Sequence, residues 1–127
     1  MADAVSDPPL GLELILGQIE GRYRMDPSGR LVLDRRGGVP PRFLLGRSAE
    51  GCLWRFRSGL PNALVSGLAK LAARERGWPE STDGAPPPPD RLIMMARLLG
   101  GGTTPAESVR EPIVRDGELR GEIWFFD

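Results

Sequence analysis

Histidine is absent from this chain, and cysteine, lysine and tyrosine occur once each. Without histidine there is no imidazole general base and no Ser-His-Asp triad. With only Cys52 beside that absence, structural zinc sites and disulfide scaffolds go as well. A lone thiol fits a reducing compartment. The first residues, Met-Ala-Asp-Ala-Val-Ser-Asp-Pro-Pro, lack the basic and apolar regions of a signal peptide, so a cytoplasmic location is expected. The longest apolar run, Leu92 to Ala96, is far short of the ~20 residues a bilayer requires, so no membrane is expected as partner. Net charge is missing too: 17 basic residues balance 17 acidic ones, and no global field argues for nucleic acid.

The 127 residues suffice for one domain with one modest core. Apolar residues at 40% and charged residues at 27% exclude a disordered tail. The expected fold class is α+β, a small antiparallel sheet of hairpins packed against two or three helices. Residues 1–77 are expected to form a hairpin-hairpin-helix core. Residues 78–89 are expected to form a Pro-rich linker or loop, and 90–127 to add a helix and a C-terminal hairpin that complete the same domain.

Local signals place the elements. Asp7-Pro8-Pro9 opens a helix expected over 9–18, with Leu12, Ile15, Leu16 and Ile19 on one face. Asp26-Pro27-Ser28-Gly29 reads as a type I turn between arms 19–25 and 30–34, with Leu31 and Leu33 sharing a face. A second hairpin pairs 42–47 with 52–57; Cys52, Trp54 and Phe56 face one way, Leu53, Arg55 and Arg57 the other. Pro61 starts a helix with the stripe Leu60, Leu64, Leu68, Leu71 and Ala72, expected to pack on that hairpin and to end at Gly77. Four consecutive prolines, Pro86 to Pro89, extend as polyproline II. Asp90 caps a third helix with Leu92, Met95, Ala96 and Leu99 on one face. Thr104-Pro105-Ala106-Glu107 has capping-box spacing, so a short helix is expected up to Glu111, stopped by Pro112. A final hairpin, 113–115 with 119–126, turns at Asp116-Gly117.

Several residues invite a chemical role. Segment 21–59 holds nine arginines and three acids, a local +6. Arg42, Arg47, Arg55 and Arg57 fall on the two arms of one hairpin. Guanidinium forks bind anions bidentately, so these four are a candidate anion-binding set. The plainer reading is a solvated sheet face, since the Arg richness matches a GC-rich codon bias. Arg97 to Gly102 matches the R-x-x-G-x-G spacing of a pyrophosphate loop, but a helix precedes it where a strand should, so it reads as a helix stop. Cys52 lies on an apolar face with no base to activate it and reads as a buried inert thiol. Glu107 and Glu111 are spaced as paired carboxylates, yet Glu107 has a capping role. No catalytic residue, metal site or cofactor follows from these patterns. Trp124, Phe125 and Phe126 place aromatics on both faces of a terminal strand; either the domain covers both, or the strand is an interaction surface.

Three stretches carry a family resemblance: Tyr-Arg-Met-Asp-Pro-Ser-Gly-Arg-Leu-Val-Leu (23–33), Pro-Pro-Arg-Phe-Leu-Leu-Gly-Arg-Ser-Ala-Glu-Gly-Cys-Leu-Trp-Arg-Phe-Arg (40–57) and Leu-Pro-Asn-Ala-Leu-Val-Ser-Gly-Leu-Ala-Lys-Leu-Ala-Ala-Arg-Glu (60–75). Together they resemble the N-terminal accessory region of bacterial GNAT-superfamily N-acetyltransferases, over 21–76 and more loosely over 90–127. The resemblance implies a non-catalytic accessory domain that docks on an acetyltransferase domain or partner subunit through Trp124 to Phe126 and the Arg55/Arg57 face, and shapes the acceptor-substrate site. It carries over no catalytic or CoA-binding residue. The expected alternative is a free-standing small-ligand, anion-binding or protein-interaction domain, and self-association stays open. A complete acetyltransferase is disfavoured, because it needs a pyrophosphate cradle on a strand-to-helix turn. If the chain is part of an enzyme, that enzyme is expected to be an N-acetyltransferase.

Overall fold

A computed structural model describes residues 10–75, 91–99, 108–115 and 117–126. In chain order the elements are α1 (Leu10–Arg22), β1 (Tyr23–Met25), β2 (Leu31–Asp34), β3 (Phe43–Ser48), β4 (Gly51–Phe56), α2 (Asn62–Ala72), α3 (Leu92–Leu98), β5 (Ser108–Arg115) and β6 (Glu118–Phe126). This is an α+β fold. β1 and β2 form a two-stranded ribbon, and the other four strands form an antiparallel sheet in the order β4-β3-β6-β5. The C-terminal hairpin therefore completes the sheet begun by the central one.

The sheet is covered on both faces. Odd-numbered Phe43 and Leu45 of β3 point with Phe56, Trp124 and Phe126 toward Leu68 and Ala72 of α2, Met95 of α3 and Leu99, the C-cap of α3. Even-numbered Leu44 points with Ile113 and Ile123 toward Ile15 and Ile19 of α1, with Tyr23 and Leu31 of the ribbon closing the same core. Each such fully buried apolar side chain contributes roughly 1.5–3 kcal/mol. The strand register sets Phe56, Phe43 and Phe126 in one row, with ring centroids 5.3 and 5.1 Å apart.

Gly11 of α1 and two glycines of the sheet set the distance between them. A Cβ on Gly46 would lie 2.5 Å from Ile15 Cγ2, and one on Gly121 would lie 2.9 Å from Ile15 Cδ1. Ile15 thus seats in a trough that only residues without side chains can form.

The turn at Asp26 forms as expected: Gly29 N donates to Asp26 O at 2.9 Å. Asp26 Oδ1 accepts from Ser28 N, Ser28 Oγ and Arg30 N. The hairpin 42–57 and the stripe of α2 are also found where the sequence places them.

Other expectations are corrected. The first helix runs to Arg22, because Ile15 and Ile19 continue one buried face and β1 begins only at Tyr23. Leu31 is buried but Leu33 is 46% exposed; a bulge at Arg24/Met25 breaks the two-residue alternation. α2 ends at Ala72 with Ala73 as its C-cap, while Gly77 lies outside the described residues. At the start of α3 the backbone N–H of Arg91 donates to Glu75 Oε2 at 2.9 Å; Asp90 lies outside the described residues. The short helix expected to reach Glu111 is replaced, over 108–111, by strand β5. Pro112 sits within that strand, where an edge position tolerates a residue without an N–H. Glu107, the linker 78–89 and the loop Gly100 to Gly102 lie outside the described residues.

Candidate functional site

The four arginines singled out by the sequence do not come together as one set. Arg47 pairs in register with Cys52, on the face toward α2 and α3, whereas Arg55 pairs with Leu44 on the face toward α1. Each is also engaged with the protein itself. Arg42 Nη1 donates to Leu99 O at 2.8 Å, Arg55 Nη1 to Trp54 O at 2.8 Å and Arg57 Nη1 to Pro40 O at 3.0 Å. The first ties the hairpin to the end of α3 and the third to the segment leading into β3, while the Arg55 bond stays within β4. The alternation rule places any two residues an even step apart on one face, but it does not say which cross-strand neighbour will claim the charge.

For Arg47 that neighbour is Glu122. The two are directly opposite across β3 and β6. Arg47 Nε donates to Glu122 Oε2 at 2.8 Å, and Arg47 Nη2 lies 2.6 Å from the same oxygen. Trp124 Nε1 donates to Oε2 at 2.8 Å, and Arg110 Nε donates to Oε1 at 2.6 Å. Glu122 is fully buried, and Arg47 is 5% exposed. One carboxylate therefore takes four donor contacts and sits between two guanidinium groups. Its lone pairs are committed, so the cluster suits holding three strands in register better than moving protons. Arg110 Nη2 is buried without a hydrogen-bond partner.

Cys52 occupies the same row, beyond Arg47. Burial pushes its thiol up to about 11; the Arg47 charge pulls the other way, and the Glu75 and Glu122 carboxylates add to the rise. A protonated thiol among apolar neighbours is a weak nucleophile. Among the described residues no group of His, Cys, Asp or Glu side chains gathers as a metal site, and no helix is long and apolar enough to cross a membrane.

Trp124 and Phe126 are buried in the core under α2 and α3, and Phe125 is half-buried on the opposite face. β6 has β3 on one side and β5 on the other. The aromatic strand is thus covered by its own domain, because hairpin β5–β6 inserts next to β3 and leaves β5 as the edge. It offers neither a free edge nor its tryptophan ring to a partner. Glu111, expected on a helix, lies on β5 and meets Arg22 Nη1 at 3.3 Å.

A surface feature that periodicity missed lies on the outer side of α2 and α3. A groove of about 500 Å³ runs between these helices, with Leu71, Met94 and Leu98 along it and Lys70, Arg74 and Arg97 at its margins. Met94 and Leu98 are 55% and 46% exposed. The signal was available: the third helix carries Leu92 to Met95 as a continuous apolar run, more than a single buried stripe can use.

No family model, curated protein or solved structure matches this chain.

Proposed function

We propose that this chain is a non-catalytic accessory domain, resembling the N-terminal part of a GNAT N-acetyltransferase, that docks on an acetyltransferase domain of its own chain or of a partner subunit. Its task there is to shape the acceptor side of the partner's site. The observation that carries this reading is the use made of the hairpin 40–57, where the resemblance is densest. Phe43, Leu45, Trp54 and Phe56 build one core, and Arg47 is locked by Glu122. Residues of the motif thus serve architecture, as befits a module recognised by its framework. The groups with chemical potential are likewise committed: the Glu122 carboxylate is saturated with donors, and the Cys52 thiol is held protonated. With Trp124 and Phe126 buried, the docking contact falls to exposed helix and loop surface.

The test uses an acetyltransferase domain encoded in the same or a neighbouring reading frame. Acceptor and acetyl-CoA kinetics are measured for that domain with and without this chain. The expected result is a change in the acceptor KM, with the acetyl-CoA KM little altered. No complex and unchanged kinetics would refute the reading.

A further inference from the structure

We propose that the groove between α2 and α3 is a docking site for an acidic amphipathic helix of a partner protein. The floor has two rows. Gly67 and Leu71 lie four residues apart on α2, and Met94 and Leu98 lie four residues apart on α3. Each row is therefore about 6 Å long, the rise of roughly one helical turn. A third helix laid along the groove presents apolar side chains at the same interval, the arrangement used in helix-in-groove recognition. Gly67 helps keep the two helices close, since a Cβ there would lie 3.2 Å from Leu98 Cδ1.

The margins specify charge. Lys70, Arg74 and Arg97 are all exposed, and none of them has a carboxylate partner among the described residues. Among the described residues no acidic side chain lines the groove. Helix dipoles favour cations in these last turns whatever the groove does. They do not call for Met94 and Leu98 to lie exposed beside the cations. An apolar strip bounded by three exposed positive charges that no described carboxylate pairs complements a helix with a leucine face and flanking glutamates. The 500 Å³ volume is of the size that seats a few large side chains. The inference stands apart from the acetyltransferase reading, because its probe contains no part of such an enzyme.

The probe is a fluorescein-labelled amphipathic peptide of about five helical turns, with Leu at i, i+3, i+4 and i+7 and Glu on both flanks. Its counterpart carries Lys in place of Glu, and phosphatidylglycerol vesicles serve as an anionic lipid control. Binding to the full chain is read by fluorescence anisotropy. The expected result is saturable binding of the acidic peptide, with the Lys counterpart about tenfold weaker or worse. The double variant Lys70→Glu/Arg97→Glu, and separately Met94→Gln, should each weaken the acidic peptide about tenfold while the thermal melt stays unchanged. No peptide binding, equal binding of both peptides, indifference to these variants, or binding of vesicles alone would each overturn the proposal. So would a fall of several degrees in the melting temperature of Met94→Gln, which would mean that the chain already covers this floor itself.

Discussion

Arg47 and Glu122 face each other across β3 and β6, and the arginine spends two of its nitrogens on a single carboxylate oxygen inside the domain. The pair joins residues 75 positions apart, so it fastens the C-terminal hairpin to the central one. Its stabilisation over an apolar pair of the same shape is small, because two charges lose their water. Its specificity is high: slipping β6 by one residue would turn Glu122 away from Arg47 and into the core beneath α1.

Glu122→Gln leaves the buried Arg47 guanidinium facing an amide. The expected cost is about 3–5 kcal/mol of unfolding free energy, read by urea titration. Arg47→Met combined with Glu122→Leu should cost less than Glu122→Gln alone. A loss below about 1 kcal/mol for Glu122→Gln would contradict the role given to the pair.

Gly46→Ala places a methyl group into Ile15 Cγ2, which is fixed next to the backbone of α1 and has little room to retreat. Overpacking of this kind costs about 1–3 kcal/mol. Adding Ile15→Val does not remove Cγ2, so it should rescue little; adding Ile15→Ala should recover part of the loss, giving a positive coupling in a double-mutant cycle.

Cys52 should resist alkylation. With its thiol raised to about 11, the folded chain at pH 8 should react with iodoacetamide on the order of 10–100 times more slowly than the urea-unfolded chain. Equal rates would show that the thiol is exposed or activated.

Stability should fall at both ends of the pH range, for different residues. Burial raises Cys52 from 9.0 to about 11 and Tyr23 from 10.0 to about 12. The folded state binds these protons more tightly, so their contribution is complete below pH 9 and is lost as pH climbs toward 11 and 12. At the acid end the Ser28 hydroxyl, together with the Arg30 and Ser28 backbone N–H groups, holds the Asp26 carboxyl below its ordinary value. The turn's contribution is present above that ordinary value and fades as pH falls through the lowered one. Thermal melts across pH should show both declines, and Cys52→Ala should remove part of the alkaline one.

Much of this fold was legible because local chemistry and tertiary packing agree. Asp26-Pro27-Ser28-Gly29 encodes its turn in four residues, and the alternation of Cys52, Trp54 and Phe56 encodes a face. Pro112 misled because proline after a capping-box pattern ordinarily stops a helix; its position on an edge strand depends on topology that no local window contains. Ile19 could have belonged to helix or strand, and contact with the sheet decided it. The dispersal of the four arginines over two faces escaped the sequence for a related reason. Residue type marked Arg47 as an anion ligand, while the identity of its ligand, Glu122, depended on how two distant hairpins pair. Exposure of Met94 and Leu98 was likewise settled by helix packing, since both residues suit a core as well as a surface.

The central claim is most directly tested by incubating the purified chain alone with acetyl-CoA and a panel of primary amines and following release of the free CoA thiol. The account predicts no release above the buffer rate. Release that rises in proportion to the concentration of the chain, and survives in Cys52→Ala, would contradict it.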